Sequence, residues 1–243
     1  MGSDNNEEQP NVWIPESILP GFQEFVKIFY AECWKTSQLV LRALSLGLGL
    51  QDENYLLKFH GEKENQVSFR HYPPVSEAKV RSGEMDRLGA HTDFDSFTLL
   101  WQDENGGLTV KIPSTGKWVD VLPIEGALVM NIGDVLTRWS DGNYPTFRMR
   151  RELRTQADYL VSTVHRVHLP PLEQSYTGKS GNRMTKNRFS IPYFVPPKLD
   201  TLMVPLEGSF AKAEESKYKP ILFSDLVKQQ TEGYFEGGKE REG

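Results

Sequence analysis

Hydrophobic residues between positions 22 and 48 recur with the spacing of one helix face. The residues that follow this i, i+3, i+4, i+7 pattern are Phe22, Phe25, Val26, Phe29, Cys33, Val40, Leu41, Leu44 and Leu48. The period predicts a long amphipathic helix, and Pro20-Gly21 marks its start. A second, shorter helix is predicted from about Asp52.

After about residue 65 the pattern changes to short extended runs. Strands are predicted at Gln66–Tyr72, Phe97–Gln102, Leu108–Ile112, Lys117–Val121, Ala127–Ile132, Ser162–His168 and Arg188–Phe194. Glycine-, proline- and asparagine-containing turns such as Asn105-Gly106-Gly107 separate them. Many short strands with this spacing favour a sandwich or barrel over a fold of alternating strands and helices. An amphipathic stretch around Ile221–Val227 predicts a closing helix.

Composition excludes several classes of protein. The chain has 243 residues, a formal net charge of −5 and no dense basic run, which argues against a nucleic-acid partner. Its single cysteine allows no intrachain disulfide and favours a reducing compartment. The polar N-terminus contains no signal-peptide core, and no apolar run is long enough for a membrane span. We therefore expect a soluble, cytoplasmic protein.

Two of the five histidines open a His-x-carboxylate triplet. His60-Gly61-Glu62 lies in a hydrophilic stretch and is expected to be a solvated loop. In His91-Thr92-Asp93 the first and third residues share one face of an extended segment, so the imidazole and the carboxylate can bind one cation. A second histidine from another strand would complete a facial triad of the kind that binds Fe(II). His165 and His168 are the downstream candidates, and only one of them can point inward.

The run His91-Thr92-Asp93-Phe94-Asp95-Ser96-Phe97-Thr98-Leu99-Leu100-Trp101-Gln102-Asp103 resembles the Fe(II)/2-oxoglutarate-dependent dioxygenases of the isopenicillin N synthase-like superfamily. Further blocks resemble the same family in the same order: Gly106–Val110, Gly126–Asp134, Ser162–Val167 and Arg188–Phe194. Together they cover roughly residues 66–197. The resemblance implies a mainly β fold, a double-stranded β-helix or jelly roll, here with a long N-terminal helix and a C-terminal helix.

The resemblance also implies roles for individual residues. His91, Asp93 and His165 match the iron ligands of the family. Arg188 and Ser190 match the pair that holds the distal carboxylate of 2-oxoglutarate, and Tyr72 matches a tyrosine that bonds this carboxylate in several relatives. The implied cofactors are Fe(II), 2-oxoglutarate and O2. The implied reaction converts 2-oxoglutarate to succinate and CO2 and oxidises a small molecule, typically by hydroxylation, sometimes by desaturation or ring closure.

The predicted organisation is a disordered lead-in over 1–12, a helical remnant of an N-terminal region over 13–64, the oxygenase domain over 65–197 and a C-terminal extension over 198–243. Relatives carry more chain before the long helix, so a truncated, non-catalytic metal-binding fragment stays an alternative. A 2-oxoglutarate-independent iron oxidase of the same fold is another. The arginine-rich stretch Asn143–Asp158 is predicted to be an inserted solvated loop, or alternatively a lid over the iron.

Overall fold

The computed structural model describes residues 1–3, 10–140, 160–179, 182–206 and 218–236. Its helices are α1 (Phe22–Gly47), α2 (Glu77–Arg81), α3 (Asp134–Ser140) and α4 (Phe223–Glu236), with 3₁₀ turns at Leu56–Lys58 and Glu173–Ser175. Its strands are β1 (Gln66–Val67), β2 (Arg70–Tyr72), β3 (Leu88–His91), β4 (Phe97–Gln102), β5 (Leu108–Lys111), β6 (Trp118–Asp120), β7 (Val129–Ile132), β8 (His165–Val167), β9 (Tyr176–Thr177), β10 (Met184–Thr185), β11 (Arg188–Val195), β12 (Leu202–Met203) and β13 (Ile221–Leu222).

Two antiparallel sheets form the centre of the fold. The larger, sheet one, has the order β1-β11-β4-β7, and β2 pairs with the other end of β11. The second, sheet two, has the order β3-β8-β5-β6. Apart from the consecutive pair β5 and β6, strands that neighbour one another in the two sheets are distant in sequence, as in a jelly roll. The predicted mainly β, double-stranded β-helix fold is confirmed.

Strand β11 shows how sheet one divides a hydrophobic core from a polar pocket. Side chains alternate between the two faces of a strand. Tyr193 and Val195 belong to the core, where α1 packs against the sheet. Arg188, Ser190 and Phe194 line a pocket on the opposite face, between the two sheets. The same strand therefore contributes to both folding and the candidate site.

The long helix α1 is anchored to this core through aromatic and polar contacts. The rings of Tyr30 and Tyr193 meet edge to face with centroids 5.2 Å apart. The Tyr30 hydroxyl donates to the carbonyl oxygen of Asn65, and the Asn65 amide donates to the Tyr193 hydroxyl. Cys33 of α1 is buried in the same core. The predicted long helix is confirmed within one turn at either end.

Several sequence predictions need correction. The predicted strand over 66–72 is interrupted between β1 and β2, and the one over 162–168 is a strand only over β8. The predicted strand over 127–132 forms only over β7, and Gly133 joins it directly to α3, a helix that the sequence did not predict. Strand β3 was also missed. The loop Asn143–Asp158 lies outside the described residues, so its prediction is untested.

At the N-terminus, the described residues contact the domain. The amino group of Met1 donates to the Val67 carbonyl, and Gly2 and Asn11 exchange two hydrogen bonds of 2.8 Å. Residues 4–9 of the predicted lead-in lie outside the described part of the chain. None of the described helices is long and apolar enough to cross a membrane.

His60 is buried rather than in a solvated loop, which corrects the sequence prediction. It is 4% exposed, and its Nδ1 donates to the Leu56 carbonyl while its Nε2 accepts from the Ser96 hydroxyl. Burial lowers the pKa of His60 to about 4, although the hydrogen bond to Leu56 opposes this change. The imidazole is therefore a neutral structural link between the 3₁₀ turn and the start of β4.

We predict that His60 makes the fold sensitive to acid. In the unfolded chain the imidazole binds a proton near pH 6.5, whereas in the folded chain it does so only near pH 4. The contribution of neutral His60 to the free energy of unfolding is therefore fully present above about pH 6.5. It is lost as the pH drops towards 4, by about 3 kcal/mol in total. Urea unfolding of wild type and His60→Gln at pH 7 and pH 4.5 measures this loss. The stability difference between the two proteins should narrow by about 2 kcal/mol at the lower pH, and a constant difference would contradict the assignment.

A second prediction concerns Gly133, between β7 and α3. A Cβ at this position would overlap the carbonyl oxygen and the carboxylate of Asp95. Asp95 cannot move easily, because it is buried and its carbonyl accepts from the Val135 amide. Gly133→Ala should lower the free energy of unfolding by about 1–3 kcal/mol. Gly47→Ala is the control, because its Cβ would meet no atom within 4 Å; equal stability of the two variants would be the contrary result.

Candidate functional site

The three predicted metal ligands lie together where the two sheets meet. His91 at the end of β3 pairs with His165 at the start of β8, and Asp93 follows β3 by two residues. The Nε2 atoms of His91 and His165 lie 4.0 and 3.7 Å from Oδ1 of Asp93. One ligand atom from each of the three side chains falls within 4.8 Å of the others. They form the only such His/Cys/Asp/Glu group within the described ranges.

Both imidazoles present the same nitrogen to the centre of this triad. Nδ1 of His91 lies 2.9 Å from the Gly89 carbonyl, and Nδ1 of His165 lies 2.9 Å from the Thr163 carbonyl. Because a carbonyl oxygen only accepts, each Nδ1 carries the proton and each Nε2 keeps its lone pair. Burial, and then the neighbouring His165, lower the pKa of His91. A neutral imidazole is the form that binds a metal.

Asp93 is fixed through one of its two oxygens. Its Oδ2 accepts hydrogen bonds from the Thr98 hydroxyl at 2.6 Å and from the Asn131 amide at 2.7 Å. Its Oδ1 faces the two histidines. The carboxylate therefore offers a single oxygen beside two imidazole nitrogens, a donor set that suits Fe(II) and leaves coordination positions open.

Thr98 and Asn131 are the site residues that sequence reasoning missed. They stand opposite one another in the β4–β7 register, so both side chains reach Asp93 from sheet one. Asn131 lies within the predicted strand Ala127–Ile132, but the sequence did not predict its contact with Asp93. The signal that was present is the alternation of β7, which places Asn131 on the pocket face together with Val129 on its own strand.

Arg188, Ser190 and Tyr72 also lie in this pocket. Arg188 is 1% exposed, and it donates to the Ser190 hydroxyl at 3.2 Å and to Gln102 at 3.3 Å. Its guanidinium carbon lies 4.8 Å from the centre of the Tyr72 ring. Within the described part of the chain no carboxylate pairs with it, and its Nε has no hydrogen-bond partner.

A buried guanidinium is costly unless an anion compensates it. Arg87 places a second positive charge beside the Tyr72 ring, with its guanidinium carbon 5.7 Å from the ring centre. Burial, and then repulsion by Arg188, lower the pKa of Arg87. These two charges make this end of the pocket attractive to a carboxylate, which Arg188 can bind through two parallel hydrogen bonds.

The pocket connects these two groups of side chains. It is lined from sheet one by Arg70, Tyr72, Thr98, Asn131, Arg188, Ser190 and Phe194, and from sheet two by Leu88, His91, Leu108, His165 and Val167, with Asp93 between them. Of the two candidate third histidines, the structure brings His165 into the pocket and leaves His168 outside it. Phe194 lines the pocket, whereas Phe94, next to the ligand Asp93 in the sequence, does not.

Comparison with known proteins agrees with this geometry. The sequence profile of the 2OG-Fe(II) oxygenase superfamily matches residues 63–197. The chain is 34% identical over 224 residues to the 2-oxoglutarate-dependent dioxygenase gloF of Glarea lozoyensis, covering 90% of this chain and 60% of gloF. It is 32% identical over 221 residues to the proline hydroxylase buaE of Petromyces alliaceus, covering 90% of this chain and 61% of buaE.

Solved structures show the same likeness. A full-length Neurospora crassa protein, crystallised in complex with alpha-KG, superposes with a TM-score of 0.79 at 33% identity, over 96% of this chain and 64% of the Neurospora chain. A putative 2OG-Fe(II) oxygenase family protein from Caulobacter crescentus gives a TM-score of 0.70 at 27% identity, over 95% of this chain and 65% of that protein.

The chain thus spans less than two thirds of the length of each of these relatives. The matched profile nevertheless includes every residue of the pocket described above. From sheet order, site geometry and sequence similarity together, this chain belongs to the 2OG-Fe(II) oxygenase superfamily.

Proposed function

We propose that this protein is an Fe(II)- and 2-oxoglutarate-dependent dioxygenase that oxidises a small molecule. The observation that carries the proposal is one pocket with two ends. A His-Asp-His triad that suits Fe(II) occupies one end, and a buried arginine that pairs with no carboxylate among the described residues occupies the other. 2-Oxoglutarate has a keto-acid group to chelate a metal and a distant carboxylate to pair with an arginine, so its two ends match the two ends of the pocket.

In this proposal His91, Asp93 and His165 hold the iron. The backbone carbonyls that bind both Nδ1 atoms fix the two rings, and Thr98 and Asn131 fix the carboxylate. Such supporting contacts orient ligands before the metal arrives. Bound Fe(II), with 2-oxoglutarate and O2, supplies the oxidising chemistry, in which 2-oxoglutarate becomes succinate and CO2.

Arg188, Ser190 and Tyr72 hold the distal carboxylate of 2-oxoglutarate. The guanidinium supplies charge and a planar pair of donors, and Ser190 adds a hydroxyl on the same face of β11. Apolar side chains from both sheets, such as Leu100 and Val167, enclose the space between the two ends. The protein's own task is therefore to orient the cosubstrate and exclude water.

The substrate class is inferred from relatives. The similarity to a protein named proline hydroxylase supports hydroxylation of a small molecule, and the Neurospora crassa relative has been crystallised with thymine. Both compounds are small and rigid. We therefore propose hydroxylation of a compact organic molecule as the reaction.

We predict that metal binding distinguishes His165 from His168. His165→Ala should weaken Fe(II) binding by at least about 10-fold and abolish 2-oxoglutarate-dependent succinate formation, because one of three ligands is lost. His91→Ala and Asp93→Ala should behave alike. His168→Ala is the matched control and should bind iron as wild type does, because its side chain lies outside the pocket.

Direct metal titration and a succinate assay with a panel of small molecules provide the two readouts. Equal loss of iron in His165→Ala and His168→Ala would contradict the assigned triad. Wild-type protein that binds iron and 2-oxoglutarate without forming succinate would instead support the non-catalytic alternative.

A further prediction tests the cosubstrate site. Arg188→Lys keeps the charge but removes the planar pair of donors, so the Kd for 2-oxoglutarate should rise by about 10-fold or more. Iron affinity should stay within about twofold, because Arg188 does not contact the triad. Calorimetric titration without O2 measures both. Unchanged 2-oxoglutarate affinity would favour an iron oxidase that does not use this cosubstrate.

A further inference from the structure

The pocket contains one more cation than 2-oxoglutarate requires. Arg70 lies two residues before Tyr72 on β2, so both side chains project from the same face of the strand. Arg70 lines the pocket together with His91 and Asp93, and its guanidinium carbon lies 5.7 Å from the centre of the Phe194 ring. The side chain is half-buried.

The guanidinium of Arg70 has no acceptor within the described part of the chain. Arg81 pairs with Glu77, and Arg183 pairs with both Glu77 and Glu173. Arg70 forms no such ion pair or side-chain hydrogen bond with a described residue. Its charge instead opposes the charged forms of His91 and Arg188. The guanidinium of Arg70 therefore brings donors without a described acceptor to a pocket that already contains the buried Arg188.

The register of β11 separates Arg70 from the cosubstrate residues. Tyr72 stands opposite Arg188, whereas Arg70 stands opposite Ser190, which is two residues along β11 towards Phe194. In the proposed function Arg188, Ser190 and Tyr72 satisfy the distal carboxylate, and the metal takes the keto-acid end. Arg70 and Phe194 are then a cation and an apolar ring available to a second molecule.

We propose that Arg70 binds a carboxylate of the substrate to be oxidised, while Phe194 packs against its carbon skeleton. This assignment rests on the proposed function and narrows its substrate to small carboxylic acids. One planar guanidinium matches the two oxygens of one carboxylate, and the half-buried setting strengthens the ion pair relative to one in bulk water. A pair of this kind also fixes which carbon of the substrate faces the metal.

The experiment compares acids with their uncharged amides. Wild-type protein loaded with Zn(II) and 2-oxoglutarate, which does not turn over, is titrated with L-proline and L-prolinamide, benzoate and benzamide, and phenylacetate and phenylacetamide. Binding is measured by ligand-observed NMR. At least one acid should bind 10-fold or more tightly than its amide. In Arg70→Leu this preference should fall below about threefold, and Arg70→Lys should retain part of it.

Two controls isolate the effect. Arg42→Leu removes an exposed arginine of α1 and should keep the wild-type preference. Thermal denaturation shows whether each variant is folded, and the Kd for 2-oxoglutarate in Arg70→Leu should stay within about threefold of wild type. An increase as large as that in Arg188→Lys would assign Arg70 to the cosubstrate and overturn the proposal.

The remaining outcomes are also decisive. The proposal is wrong if no acid of the panel binds wild type with a Kd below about 20 mM. It is also wrong if acids and amides bind alike, or if Arg70→Leu keeps the preference for the acid. Binding of 2-oxoglutarate to wild type is measured first. If wild type does not bind 2-oxoglutarate, the proposed function is contradicted. The acid–amide comparison is then repeated with Zn(II) alone, and it still tests whether Arg70 binds a carboxylate.

Discussion

The two hydrogen bonds to Oδ2 of Asp93 are the interaction on which the site depends. Asp93 follows a strand of sheet two, whereas Thr98 and Asn131 belong to sheet one. The carboxylate therefore joins the sheets and at the same time turns its other oxygen towards the histidines. Asp95 lies beside it, where burial and the charge of Asp93 raise its pKa. The candidate metal ligands His91 and Asp93 thus lie at the junction of the two sheets and not on a surface loop.

Sheet one gives this junction a rigid support. Its outer face packs on α1 and α3 through a core that contains Phe97, Leu136 and Trp139, all almost fully buried. Its inner face carries the polar residues of the pocket. Successive residues of one strand point alternately into the core and into the pocket. Close packing of the core residues therefore fixes the backbone from which the polar pocket residues project. The buried Arg188 is held in this way, although no carboxylate in the described ranges pairs with it.

The sequence alone predicted much of this arrangement, because ordered motif blocks mark His91, Asp93, His165, Arg188 and Ser190. It failed where a residue's partner is far away along the chain. His60 appears solvated from its hydrophilic neighbours, yet its partner is Ser96, 36 residues later. Asn131 falls in a predicted strand, but only the β4–β7 register places it beside Thr98 and Asp93. Local pattern carries no information about such long-range contacts, which only the assembled sheets create.

The hydrogen bonds from the two imidazoles have a consequence for how this pocket can diverge. Each ring is oriented by a main-chain carbonyl two residues earlier on its own segment, Gly89 for His91 and Thr163 for His165. Main-chain carbonyls persist through every substitution, so neither ring depends on the identity of a neighbouring side chain. Residues on the remaining pocket walls can therefore change during evolution without disturbing the imidazoles. A lineage can acquire a new substrate by altering positions such as 70 and 194 while its metal ligands keep their orientation.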